Sequence, residues 1–112
     1  MPKRRKTNSI EREIFRRQAE MCKAFAHPIR LHVLYLLGKG ERTPSSLQAE
    51  LVISKTNLSQ HLAILKSCGV VATRRDGKQV RFSLAMPEIK QACQLIRDVL
   101  RLQVRETSKF AG

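Results

Sequence analysis

Apolar residues recur along this chain with a helical period, switch to the alternation of strands, and return to a helical period before the end. Ile10, Ile14, Met21 and Phe25 share one helical face, and Asn8 precedes Glu11 with the spacing of a capping box, so a first helix is predicted over about 9–25. Pro28 stands where a first helical position would be. Ile29, Leu31, Val33, Leu34, Leu36 and Leu37 then fill nearly every face until Gly38 and Gly40 stop the run, which makes this helix central. Thr43 and Pro44 signal another start, with Leu47 and Leu51 as the buried pair of a two-turn helix over 44–51. After Val52 and Ile53, Ser54 can cap a helix over 54–67 that carries Leu58, Leu62 and Leu65 and ends before Gly69. A short helix, a tight turn and a second helix form the helix-turn-helix outline.

Beyond Gly69 the period becomes two. Val80, Phe82 and Leu84 alternate with Gln79, Arg81 and Ser83, Val70 to Thr73 supply a facing strand, and Asp76-Gly77 marks a hairpin turn between them. Pro87 opens a last helix over about 87–107 with an apolar stripe of Ile89, Cys93, Ile96, Leu100 and Val104. The predicted architecture is mostly α with a β-hairpin wing, about five helices and two strands. Residues 1–8 are expected to be a flexible basic arm, 9–107 a single domain, and 108–112 a frayed tail.

Charge narrows the choice of partner. Lys and Arg total 22 against 9 Asp and Glu, a net +13, so the partner is expected to be polyanionic. Aromatic residues are 4% of the chain and Trp is absent, which disfavours a stacking platform for single strands and leaves double-stranded DNA. No apolar run reaches the roughly 18 residues of a membrane span, and the basic start leads into Thr7, Asn8 and Ser9 without a signal-type apolar region. A cytoplasmic protein with reduced thiols is the expectation, so Cys22, Cys68 and Cys93 are either packing residues or sensors.

On a helical wheel the predicted helix 54–67 sets its leucines on one side and Thr56, Ser59, Gln60 and Ala63 on the other, flanked by Lys55 and Asn57. A polar, uncharged outer face suits the major groove, where Gln60 and Asn57 can pair bidentately with adenine. Ser54, Lys55 and Thr56 at the helix start can seat a phosphate. The hairpin adds Arg74, Arg75, Lys78 and Arg81 within eight positions, a cationic tip able to follow a phosphate groove or enter a narrow minor groove.

The runs AFAHPIRLHVLYLL, SKTNLSQHLAILKSCGVV and RRDGKQVRFSL resemble the winged-helix repressors of the ArsR family over about residues 20–90. The resemblance implies a homodimer paired through the first and last helices, with the helix at 54–67 in the major groove and the hairpin in the neighbouring one. It also implies a repressor released from its operator by a metal ion, a metalloid or a thiol-directed oxidant. Two recognition helices related by a two-fold axis span one turn of DNA, which predicts an inverted-repeat operator.

The family's metal sites are not matched. Where one site has a Cys-x-Cys pair this chain has Thr43 and Ser45; a second site's positions hold Met86, Glu88, Val99 and Leu102; of a third cysteine pair only Cys68 is matched, with Ile64 at the other place. No metal or other cofactor is therefore expected. In this family the helices carrying Cys22 and Cys93 pair, so those two thiols are effector candidates through oxidation or persulfidation. Binding of a soft metal or metalloid by cysteine thiolates, Cys68 among the candidates, stands as the alternative, and simple packing as a third reading. His27 reads as a helix cap, His32 belongs to the central helix, and His61 flanks the leucine side of helix 54–67; none is assigned a metal. A sequence-indifferent DNA-coating protein would also fit the charge. No phosphate-cradling loop, carboxylate pair or cysteine with a base partner marks an enzyme.

Overall fold

All four prolines of the chain stand at the first position of a helix, where a missing N–H costs nothing and the fixed φ is already helical. The computed structural model describes the backbone of residues 2–111 and the side chains of residues 8–107. Its elements are α1 (Pro2–Phe25), α2 (Pro28–Leu37), α3 (Pro44–Leu51), α4 (Lys55–Ser67), β1 (Val71–Asp76), β2 (Gln79–Leu84) and α5 (Pro87–Ala111). Side-chain caps fix three of the starts: His27 Nδ1 accepts from the Ile29 amide at 3.1 Å, Thr43 Oγ1 from Ser46 at 3.2 Å, and Ser54 Oγ from Asn57 at 3.1 Å.

The core lies where α2 crosses α3 and α4 above the hairpin. Val33, Leu34, Leu36 and Leu37 of α2 meet Leu47 of α3, Leu58, Leu62 and Leu65 of α4, Val70 and Val71 ahead of and within β1, and Ile89 of α5. Within the hairpin, Val71 pairs with Leu84 and Thr73 with Phe82 on the inner face, while Arg74 pairs with Arg81 on the other. Asp76 faces Gln79, so the two-residue turn is Gly77-Lys78; Gly77 has φ of +66° and Lys78 does not share the positive φ, the sign pattern of a type II′ turn. Arg42 adds a single antiparallel bridge to the outer edge of β2, its amide and carbonyl both bonded to Phe82.

Both long helices exceed their expected bounds. The first begins at Pro2 rather than about 9, so Asn8 lies inside it and the capping box with Glu11 is not used. Pro2 opens the helix and the Lys and Arg residues that follow are good helix formers, so nothing halts it before position 9. The last runs to Ala111 where fraying after Thr107 was expected. The side chains of the expected arm, through Thr7, and of the tail at 108–112 lie outside the described residues.

Most of the α1 stripe is not buried. Ile10, Ile14 and Met21 are exposed, and only Ala24 and Phe25 reach the core side. On α5, Ile89 is buried and Cys93 half-buried, but Ile96, Leu100 and Val104 stand in the open, as do Leu95, Val99 and Leu102 on an adjoining strip. Among the described residues no Cα of α1 comes within 8 Å of any Cα of α5. A compact chain of this length has a radius of gyration of about 13 Å, whereas this one has 17.7 Å. Two amphipathic helices therefore project from the core with their apolar sides uncovered.

One backbone position is strained. Val52, the residue that closes α3, sits at φ 53° and ψ 54°, a left-handed conformation that a β-branched side chain seldom adopts, and its side chain is 86% exposed. Little packing offsets the strain. Val52→Gly is expected to raise stability by about 1 kcal/mol, the strain relieved less the greater freedom of glycine in the unfolded chain, and urea denaturation at fixed protein concentration measures it. A lowered urea midpoint would show that the valine side chain contributes more than its conformation costs.

Candidate nucleic-acid interface

The α3–turn–α4 unit is anchored from beneath by Leu47, Leu58, Leu62 and Leu65, which leaves the opposite side of α4 to solvent. Lys55, Thr56, Asn57, Ser59, Gln60 and Ala63 are all exposed there, as the helical wheel predicted. Apart from the Asn57 amide that Ser54 caps, none of the polar side chains among them has a hydrogen-bond partner among the described residues. Their donors and acceptors are free for a ligand. The helix contains no acidic residue, so nothing in it repels a phosphate or competes for the amides.

His61 departs from the expected placement beside the leucines. It occupies the buried stripe itself, 7% exposed, at the i+3 step between Leu58 and Leu65. Arg30 of α2 donates from Nε to His61 Nδ1 at 3.2 Å and from Nη1 to the Ala24 carbonyl at 3.0 Å, tying α4, α2 and the end of α1 to one guanidinium. The His27 ring lies 4.4 Å from that of His61. A guanidinium only donates, so His61 presents an unprotonated Nδ1, and burial, with His27 and Arg30 nearby, holds its pKa below the ordinary 6.5. The unfolded chain therefore binds the proton more readily. Stability is expected to be full above pH 6.5 and to fall as pH drops through the lower folded value, a slope that His61→Gln should flatten in urea melts.

The four wing cations do not form one patch. Arg74 makes a two-pronged contact with Glu41, at 2.7 and 2.8 Å, and Arg81 bonds Asp76 at 2.9 Å. Each carboxylate relieves the like-charge pairing of Arg74 opposite Arg81, and the Arg74 contact holds the Glu41 carboxyl below its usual range. Arg75 faces the other side of the ribbon, opposite Val80, and Lys78 forms the turn. These two have no ion pair among the described residues. Sequence spacing alone could not show the division, because Glu41 is 33 positions from Arg74. Of the cations expected to meet DNA, Lys55, Arg75 and Lys78 are thus exposed and without an ion pair among the described residues.

The three cysteines separate by environment. Cys68 closes α4 and its Sγ donates to the Leu65 carbonyl at 3.4 Å, a local packing role. Cys22 is exposed and Cys93 half-buried, and both line one groove between α1, α2 and α5. Burial pushes the Cys93 thiol above its ordinary pKa. Among the described residues no group of three His, Cys, Asp or Glu side chains is placed to hold a metal.

Known proteins share both the sequence and this geometry. Residues 27–73 match the model for bacterial regulatory proteins of the ArsR family. An HTH-type transcriptional regulator of Mycobacterium tuberculosis, Rv0081, is 38% identical over 88 residues, covering 78% of this chain and 77% of that protein. Its crystal structure superposes with a TM-score of 0.79 over 85% of this chain and 96% of the other, at 34% identity. A biofilm growth-associated repressor of Agrobacterium fabrum is 42% identical over 67 residues, 60% of this chain and 57% of that one. The solution structure of a homodimeric winged helix-turn-helix DNA-binding domain from Mycobacterium bovis matches with a TM-score of 0.76 at 28% identity, over 81% of this chain and 84% of that domain.

Proposed function

This chain belongs to the ArsR family of bacterial regulatory proteins, and from that premise we propose that it is a homodimeric, sequence-specific transcriptional repressor that docks α4 in the major groove of an inverted-repeat operator. The observation that carries the reading is the acid-free outer face of α4, where exposed amide and hydroxyl side chains have no partner among the described residues. Asn57 and Gln60 read base edges, Ser59 supports them, and Ser54, Lys55 and Thr56 seat the backbone phosphate at the helix start. Arg75 and Lys78 carry the wing's contact with the adjacent phosphates, while Arg74 and Arg81 contribute only when Glu41 and Asp76 release them.

Pairing of two copies covers the apolar sides of α1 and α5. That brings two α4 helices into a two-fold pair about 34 to 36 Å apart, one turn of DNA. Whatever moves α1 against α5 then alters that spacing.

The effector in this reading is an oxidant acting on Cys22 and Cys93. A disulfide needs Cα atoms within about 7 Å, and among the described residues no α1–α5 pair within one chain comes inside 8 Å. Joining them draws the helices together or uses a longer sulfur bridge, and either changes the dimer face. Exposed Cys22 reacts first, and half-buried Cys93 then gives up its proton as its sulfur attacks the oxidised Cys22 sulfur; with a peroxide, the two thiols give up two electrons and two protons and the peroxide leaves as two waters.

Fluorescence anisotropy on DNA from upstream of the protein's own gene tests both parts. The reduced protein is expected to prefer its operator over random DNA by roughly 10³ or more at physiological salt, and a small ratio with a steep salt slope would mark a coating protein instead. Mild oxidant or polysulfide is expected to release the wild type and not Cys93→Ser; release of both alike would remove the thiols from the switch. Gln60→Ala is expected to cost about 1–3 kcal/mol on the operator and to relax discrimination, whereas Arg75→Ala should weaken all sequences by a similar factor. Full discrimination by the Gln60 variant would place the base-reading residues elsewhere.

A further inference from the structure

The outer face of the wing carries four charges that sum to zero. Arg74 on β1 and Arg81 on β2 stand opposite each other there, Arg74 held by Glu41 through two hydrogen bonds of 2.7 and 2.8 Å and Arg81 by Asp76 at 2.9 Å. The four act on one another: the Arg74 contact holds the Glu41 carboxyl below its usual range, Arg81 acts in the same sense and Asp76 in the opposite one. Three of these groups belong to the hairpin, but Glu41 comes from the loop before α3 and is fixed there by its neighbour. Arg42 bonds Phe82 through both its amide and its carbonyl, and its guanidinium reaches Ser46 Oγ at 3.3 Å and Glu50 at 3.6 Å. The backbone thus places the Glu41 carboxylate beside the ribbon before any ligand arrives. Its pair with Arg74 faces water, the Arg74 and Glu41 side chains being 54% and 36% exposed.

A guanidinium takes a carboxylate and a backbone phosphate with the same two-pronged geometry, so Glu41 occupies on Arg74 the place that a DNA phosphate would take. Holding the wing against the body does not need this contact, because the two Arg42–Phe82 bonds and the burial of Val71 already do that. An exposed ion pair contributes little to stability, so a phosphate can displace the carboxylate, but the displaced carboxylate stays close and repels it. We propose, on the reading of this chain as a DNA-binding repressor, that Glu41 restrains sequence-independent binding by standing in for a phosphate on Arg74. A chain with a net charge of +13 is drawn to any duplex, and every non-specific site competes with the operator for it. With Arg74 and Arg81 neutralised, the wing meets DNA through Arg75 and Lys78, and docking of α4 in its operator supplies the rest of the affinity.

The test is anisotropy of a fluorescent duplex of scrambled sequence, titrated with the full-length protein from about 50 to 200 mM salt. Glu41→Gln is expected to bind this duplex roughly fivefold or more tightly than the wild type at the lowest salt, with a log–log salt dependence steeper by roughly 0.9 for each wing that gains a phosphate contact. Glu41→Ala is expected to do the same, and circular dichroism of each variant should match the wild type. Adding Arg74→Gln to Glu41→Gln is expected to return affinity and slope to wild-type values, since the gain runs through Arg74. Glu20→Gln, which removes the same charge and its ion pair with Lys23 on α1, is expected to leave both unchanged. Weaker or unchanged binding by both Glu41 variants, a gain that survives the loss of Arg74, or an equal gain from Glu20→Gln would overturn the proposal. A wild type that binds no duplex at any salt would sink the repressor reading and this inference with it, whereas wild-type binding with no gain at position 41 would sink this inference alone.

Discussion

Val99→Glu is expected to turn the dimer into monomers at micromolar concentration and to lower operator affinity by about 10²–10⁴, the factor lost when two half-site contacts are no longer tethered. In the single chain Val99 is 52% exposed, between Leu95 and Leu102 on the strip of α5 that faces away from the core and does not line the groove. A carboxylate placed there meets water in the monomer and an apolar surface in the dimer, so its desolvation penalty falls on association alone. Folding should be spared. Sedimentation velocity reads the oligomeric state and anisotropy on full and half operators reads the affinity. A variant that remains dimeric and binds as before would show that α5 pairs through another strip.

Leu65→Ala carries the largest expected loss of stability, about 2–5 kcal/mol. Leu65 has no exposed surface, and its side chain belongs to the cluster that joins α2, α3, α4 and the strand entry at Val70 and Val71. Truncation leaves a void in a well-packed core that three helices and a hairpin would have to collapse around. Ile64, one position earlier and 39% exposed, supplies the contrast: Ile64→Ala should cost well under half as much. Urea denaturation measures both at one protein concentration, because pairing makes apparent stability depend on it. Comparable losses at the two positions would mean that the interior side of α4 has been assigned wrongly.

The α3–turn–α4 unit was legible because its signals are local. Prolines at first helical positions, hydroxyl caps at Thr43 and Ser54, and leucines four and three residues apart act within a few positions of each other, and each found its expected place. The outer face of α4 follows directly, since exposing one side of a helix is the geometric consequence of burying the other. Ion pairing on the wing was not legible. Whether Arg74 is available to a polyanion depends on Glu41, brought beside β1 only when the loop before α3 folds against the hairpin, and whether Arg81 is depends on how the hairpin turns it toward Asp76. His61 lay between the two cases: its spacing places it with Leu58 and Leu65, but its partner Arg30 is 31 residues away.

Sequence by itself determined the elements, their order, the winged helix-turn-helix outline and the charge that points to DNA, because helix starts, stops and periods are written in short-range chemistry. Tertiary structure decided the rest. Which apolar stripes are covered, which cations are neutralised, and how far Cys22 stands from Cys93 depend on how helices pack across tens of residues. The stripes of α1 and α5 carry the same periodic signal as a buried stripe, and only the packed chain shows that most of that surface is left for another molecule to cover.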